Sequence, residues 1–189
     1  MKIYETFGFL LQYICSPRTT GAVCPSSRFL ARKMASGVDD SCSGGVIVEL
    51  GSGTGAITSA IAASPHCRDC RLYCIEFNPD LCDCLRRKFP SAKILNGSAE
   101  NIRELVGEDS KNIRAIISGL PLLSLPQDVV KNILDEVEAS LPSGGRFVQY
   151  TYNLKRNPDS LGFKTLGHFK HSCVYLNIPP ARVDVFVKK

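Results

Sequence analysis

The sequence predicts a doubly wound α/β fold: a seven-stranded, mostly parallel sheet with an antiparallel edge strand, preceded by N-terminal helices. Three observations predict it. Short β-branched apolar runs alternate with helical stretches between residues 46 and 152, the pattern of a parallel sheet covered by helices on both faces. The first run, Val46-Ile47-Val48-Glu49-Leu50, is almost wholly apolar, as suits a strand buried on both faces. Two further strand-like runs close the chain across Pro179-Pro180, and such a pair can form an antiparallel edge.

Each element has its own justification. Residues 4–15 carry apolar side chains at 4, 7, 11 and 14, a helical period that Pro17 ends. A hydroxyl at Ser26 or Ser27 can cap a second helix running through Phe29, Leu30 and Met34. Residues 37–45 form a polar loop before the first strand, 46–50. A glycine-rich turn then leads into a helix over 54–63. The second strand is expected at 72–77, a helix at 80–88, a short third strand at 92–95 and a fourth around 115–117. Residues 127–140 are strongly helical, and Gly144-Gly145 opens a fifth strand over 146–152. The last two strands are expected at 171–176 and 182–187.

The 189 residues suffice for one domain that folds without metal or disulfide staples. Hydrophobic residues make up 44% and charged residues 22%, ordinary for a globular protein, and the net charge of +5 permits attraction to phosphates or anionic lipid. Nine cysteines are scattered at irregular spacings. No secretory signal is read ahead of them, since the apolar stretch 7–15 is short and holds Gln12. Reduced thiols in a cytoplasmic protein are therefore expected. Cys67-x-x-Cys70 with Cys82-x-Cys84 could suggest zinc, but the second pair lacks the common spacing, and alternate helical positions such as 82 and 84 point to different faces. His66, His168 and His171 fall in no ligand spacing, so no metal is expected. No apolar run is long enough to span a bilayer.

The strongest local signal is Glu49-Leu50-Gly51-Ser52-Gly53-Thr54-Gly55, where a buried strand turns into a helix. Glycines there allow tight turns and close approach of a ligand. Ligands of such sheets sit at the carboxyl ends of the strands. Glu76 ends the next strand, where a carboxylate can accept hydrogen bonds from ribose hydroxyls.

This pattern resembles the first motif of class I S-adenosylmethionine-dependent methyltransferases, whose sheet is Rossmann-like. The resemblance implies S-adenosylmethionine as cofactor. It places Glu49 near the methionine end, wraps Gly51, Ser52, Gly53 and Gly55 around the cofactor, and puts Glu76 on the ribose. Asn96-Gly97-Ser98-Ala99 matches the segment bordering adenine, with Ser98 where the family often has Asp. Phe77 either packs on the base or belongs to the core.

Ser118-Gly119-Leu120-Pro121-Leu122 stands where amino methyltransferases line the acceptor pocket. Ser118 replaces the usual amide, and Leu122 the usual stacking aromatic. Three segments together (Gly21 to Ser27, Ser118 to Leu122, Asn177 to Val183) make the chain similar to the small bacterial phospholipid N-methyltransferases, from about residue 4 to 187. That resemblance implies methylation of the phosphatidylethanolamine amine by a cytoplasmic protein peripheral on the inner membrane face. Ser118, Leu120, Pro121 and Tyr13 are the candidate catalytic residues. The domain would span 1–189, with 45–189 as the cofactor-binding core. Residues 1–40 would be a helical segment that either lids the cleft or contacts the membrane through Tyr4, Phe7, Phe9, Leu10, Leu11, Tyr13 and Ile14. Arg18, Arg28, Arg32 and Lys33 add positive charge there. Two other readings stay open. One is adenine N6 methylation of RNA, although the related ribosomal RNA dimethylases carry a helical carboxy-terminal domain that is not expected after Lys189. The other is a catalytically silent cofactor-binding module, which the Ser98 and Ser118 departures favour.

Overall fold

The computed structural model describes residues 27–189. The first helix expected from the sequence, together with Tyr13, Cys15, Cys24 and Ser26, lies outside the described residues. Helix α1 (Arg28–Ala35) begins where Ser27 Oγ accepts the Leu30 N–H at 3.3 Å, satisfying one of the donors a helix start leaves open. It buries Leu30, Ala31, Met34 and Ala35 against the sheet.

The sheet has seven strands: β1 (Val46–Leu50), β2 (Arg71–Glu76), β3 (Lys93–Asn96), β4 (Ile113–Ser118), β5 (Arg146–Thr151), β6 (Leu166–Val174) and β7 (Ala181–Lys188). Their order is β3-β2-β1-β4-β5-β7-β6. Pairings are parallel from β3 to β5, and β7 runs antiparallel to both β5 and β6. Helices α2 (Ala56–Ala62), α3 (Pro79–Lys88), α4 (Ile102–Val106) and α5 (Gln127–Ser140) make the crossovers.

Both faces of the central strands are buried, which explains their unbroken apolar runs. Val46, Val48 and Leu50 of β1 join Ile113, Ile116 and Phe147 in one core, beneath Val129, Ile133 and Val137 of α5. Ile47, Ala115, Ile117 and Val148 point the other way, onto Leu30 and Met34 of α1 and Ile57 and Ile61 of α2. Successive side chains of a strand alternate between faces, so one apolar run serves two layers.

Three elements depart from the sequence reading. The helix after β1 starts at Ala56 rather than at residue 54, because Gly55 holds φ +85° at its N-cap. Helix α4 is short and was not anticipated. Strand β6 begins at Leu166, five residues before the expected 171, and its register with β7 shifts between His168 and Lys170. The bulge leaves Phe169 exposed and breaks the two-residue alternation by which strands are recognised.

The order β1 beside β4 reverses the direction in which the chain lays down strands. Crevices at such a switch point, outside the carboxyl ends of the strands, are where open α/β sheets bind ligands. The turn between β6 and β7 lies at the same edge, because Thr151 pairs with Arg182 and Val174 with Ala181.

Candidate active site

The loop leaving β1 is shaped by glycine backbone geometry. Gly51 and Gly53 hold φ +70° and +54°, a region L side chains rarely adopt. A Cβ on Gly51 would also stand 2.5 Å from Leu120 Cδ2, so the segment after β4 packs directly on the loop. A Cβ on Gly53 would meet nothing nearer than 4.0 Å.

Glu76, at the end of β2, is 2% exposed. Its Oε2 accepts the Gly53 N–H and its Oε1 the Asn78 N–H, each at 2.8 Å. The carboxylate thus ties the tip of the glycine loop to the β2–α3 turn. Each oxygen keeps acceptor capacity, since a carboxylate offers about four lone-pair sites. Asn96, the first residue of the segment matched to the adenine border, fixes the same turn by donating from Nδ2 to the carbonyls of Glu76 and Phe77 at 3.0 and 2.9 Å.

Glu49 is fully buried under the loop. Its Oε2 accepts from Thr58 Oγ1 at 2.6 Å and from Cys74 Sγ at 3.6 Å. Burial pushes its carboxyl up to about 7, against these hydrogen bonds. The Ser52 hydroxyl is buried beside this carboxyl and favours its charged form.

Phe77 and Ser98 line a groove of about 800 Å³ that Glu100 and Asn101 extend toward α5. The Ser98 hydroxyl donates to Glu100 Oε2 at 3.0 Å and accepts the Glu100 N–H at 3.2 Å. Its proton is therefore spent locally. The Ala99 side chain is buried in the core and does not line the groove.

Beyond β4 and β5 lies a cavity of about 240 Å³. Pro121, Leu122, Leu123 and Leu161 supply apolar wall, and Tyr150 and Tyr152 supply rings 5.3 Å apart, edge to face. Burial holds the Tyr150 hydroxyl well above the usual phenol range. Arg156 reaches the cavity and donates to Ser160 Oγ at 2.8 Å. Gln149, 4% exposed, is part of the wall.

Of the candidate catalytic residues, Pro121 lines this cavity. Ser118 is fully buried, and its hydroxyl accepts the Leu120 N–H at 3.3 Å. Leu120 packs on Gly51, between loop and cavity. Tyr13 lies outside the described residues.

Asp184 is the acid that lines the cavity among the described residues. Its Oδ2 accepts from Arg182 Nε and Nη2 at 3.1 and 3.0 Å, and its Oδ1 lies 3.2 Å from His168 Nε2. With His171, these two groups place ligand-type atoms within 4.8 Å of one another, although the carboxylate is already neutralised by Arg182. Seven cysteines, at 42, 67, 70, 74, 82, 84 and 173, are free thiols among the described residues. Cys82 is buried and Cys84 exposed, the opposite facing that alternate helical positions impose.

The family model described as a methyltransferase domain matches residues 47–145, just over half of the chain. The chain belongs to the methyltransferase domain family. Its cofactor is S-adenosylmethionine. The chain is similar to an ornithine lipid N-methyltransferase of Singulisphaera acidiphila, 29% identical over 151 residues that cover 78% of each protein. Two solved structures share the fold. A TehB-like SAM-dependent methyltransferase of Corynebacterium glutamicum has TM-score 0.63 at 17% identity, covering 98% of this chain and 97% of that one. TrmN of Thermus thermophilus has TM-score 0.64 at 18% identity, covering 85% of this chain. The match spans about half of TrmN, 48% of its length.

The methyltransferase's own residues fit this cofactor. The unfilled acceptor sites of Glu76 suit ribose hydroxyls. The open approach at Gly53 gives backbone access to the loop. Toward adenine, Ser98 could offer only a lone pair, because its proton already serves Glu100.

Proposed function

We propose that this methyltransferase methylates the primary amine of a membrane lipid, phosphatidylethanolamine first and an ornithine lipid as the alternative headgroup. The observation that carries the reading is an apolar turn beside the acceptor cavity. Between β6 and β7, Tyr175, Leu176 and Ile178 are 72%, 69% and 85% exposed. They are not on a loose loop. Asn177, buried between them, donates to the Pro179 carbonyl at 2.7 Å and accepts the Ser27 N–H at 3.2 Å, which pins the turn to the start of α1. Arg182 and Asp184, just beyond the turn on β7, line the cavity.

Three large apolar side chains held toward water favour transfer into an acyl boundary, at about 25 cal/mol per Å² buried. The flanking charges have the matching sign. Arg28 and Arg32 on α1 are exposed, and each positive charge near an anionic leaflet contributes about 1 kcal/mol. A protein docked this way is peripheral on the inner membrane face, and among the described residues no helix is long and apolar enough to cross a membrane.

S-adenosylmethionine supplies an already activated methyl group. The chain's part is to bring the amine to it and orient the pair, which can be worth on the order of 7–11 kcal/mol. Arg156, with no carboxylate partner among the described residues, suits the phosphate or carboxylate of a headgroup. Tyr150 and Tyr152 offer ring faces to the cationic methylated product. Asp184 is committed to Arg182, so the amine's proton leaves to water.

The test is incubation with methyl-labelled cofactor and separate pools of phosphatidylethanolamine vesicles, ornithine lipid vesicles and ribosomal RNA. Label in either lipid amine is the expected result. Label in RNA alone overturns the lipid reading, and cofactor binding without transfer to any pool indicates a silent module.

A further inference from the structure

Gln149 sits on β5 directly beside Ser118 of β4, the position where amino methyltransferases carry an amide. Its side-chain nitrogen is fully committed. Nε2 donates to the Leu120 carbonyl at 2.9 Å and to the Tyr150 carbonyl at 2.8 Å. Those two bonds use both amide hydrogens, fix which end of the amide is oxygen, and lock its direction. The oxygen is left over: Oε1 is buried and has no hydrogen-bond partner. Leaving a buried acceptor unmet is unfavourable, and such groups are uncommon in folded proteins. Gln149 itself is part of the wall of the acceptor cavity. The Leu120 segment that it grips packs on Gly51 of the cofactor loop.

We infer that Gln149 Oε1 is the amine-binding group of the acceptor site, doing from β5 what an amide at position 118 does in other amino methyltransferases. The inference rests on the reading of the acceptor as an amine. A carbonyl oxygen accepts an N–H of the neutral amine and so turns the nitrogen lone pair away from itself. Nitrogen then forms the new N–C bond as the donor's C–S bond breaks, and the surplus proton on the product nitrogen passes to water.

The chemistry of the acceptor gives a built-in control. A neutral primary amine has two N–H groups and a monomethylated amine has one. A dimethylated amine has none, so Gln149 can help the first two transfers but not a third. An isosteric change, Gln149→Met, removes the acceptor while keeping the volume. Gln149→Glu keeps an oxygen in place but replaces the donating nitrogen, and it checks that loss of the Leu120 and Tyr150 bonds is not the cause.

Thermal unfolding and cofactor binding by calorimetry should first show both variants folded and competent. With phosphatidylethanolamine as acceptor, kcat/KM of Gln149→Met should fall about 10- to 100-fold, the scale of one lost hydrogen bond at a buried site. With the N,N-dimethylated lipid it should stay within about threefold of wild type. Gln149→Glu should retain more primary-amine activity than Gln149→Met. Equal losses on both lipids, or no loss on the primary amine, overturn the role. If the wild-type protein methylates RNA and no lipid, the lipid reading fails. Gln149→Met should then lose activity on both adenine and N6-methylated adenine, each of which still carries an N–H, and unchanged rates on both overturn the role.

Discussion

Glu76 Oε2 accepts the Gly53 N–H at 2.8 Å, so one buried carboxylate braces the tip of the glycine loop. Glu76→Ala should therefore weaken S-adenosylmethionine binding about 10- to 100-fold, equivalent to roughly 1.5–3 kcal/mol for hydrogen bonds to a charged group. Glu76→Gln, which can still accept at one oxygen, should lose less. Isothermal calorimetry with the cofactor and its demethylated product decides this. Unchanged affinity in Glu76→Ala would remove Glu76 from the site.

Gly51 and Gly53 share a left-handed backbone but differ in surroundings. Gly51→Ala meets both the φ strain and the 2.5 Å contact with Leu120, and should destabilise by about 2–4 kcal/mol. Gly53→Ala meets only the strain, at roughly 1–2 kcal/mol. Its added methyl projects where the cofactor would approach, so its affinity should fall further than its stability. Urea titrations alongside calorimetry separate the two. Equal destabilisation by both variants would contradict the packing described here.

Glu49 makes stability depend on pH in an unusual direction. In the unfolded chain its carboxyl titrates near 4.5, and in the folded protein at about 7. Between those values the folded state holds the extra proton, so folding stability falls as pH rises from about 4.5 to 7 and then levels off. The drop attributable to this group is on the order of 3 kcal/mol. Glu49→Gln should flatten that stretch of the curve. Denaturant unfolding of the cofactor-free protein across pH 4.5–8 measures it, and parallel curves for wild type and variant would refute the assignment.

The turn between β6 and β7 should drive membrane contact. Replacing Leu176 and Ile178 by Asp should sharply reduce co-sedimentation with anionic vesicles while leaving cofactor affinity unchanged. Binding of the wild type should weaken as salt rises, because part of the attraction is electrostatic. If the double variant sediments as well as wild type, the contact lies elsewhere.

Much of this architecture was legible in the chain itself. The helix Gln127–Ser140 was read to the residue, because Val129, Ile133, Leu134 and Val137 recur at helical spacing and bury together. The strand at 46–50 announced itself by burial on both faces. β6 was misplaced because a bulged edge strand carries no clean alternation, and its polar stretch around Lys170 reads as loop. Within the site, the glycine loop and Glu76 were visible because local backbone demands leave a motif. Gln149 was not, since a glutamine within a strand means nothing until pairing sets it beside Ser118 and tertiary contacts consume its hydrogens. The absence of an amide at 118 was the one available hint, and it called for a search of the neighbouring strand.

The switch in strand order between β1 and β4 has a bearing on how such a protein can change over time. On one side of that seam stand the glycine loop, Glu76 and Ser98. On the other stand Pro121, Gln149, Arg156 and the apolar turn. The halves are joined by the β1–β4 ladder, and above it Leu120 lies on Gly51. The exposed positions of the segments 121–125, 152–165 and 175–180 can thus drift, while Leu122, Leu125, Leu161 and Phe163 must keep filling the core and Asn177 must keep holding the start of α1. New acceptors become reachable by changes at those exposed positions, provided that a leucine-sized side chain continues to rest on Gly51.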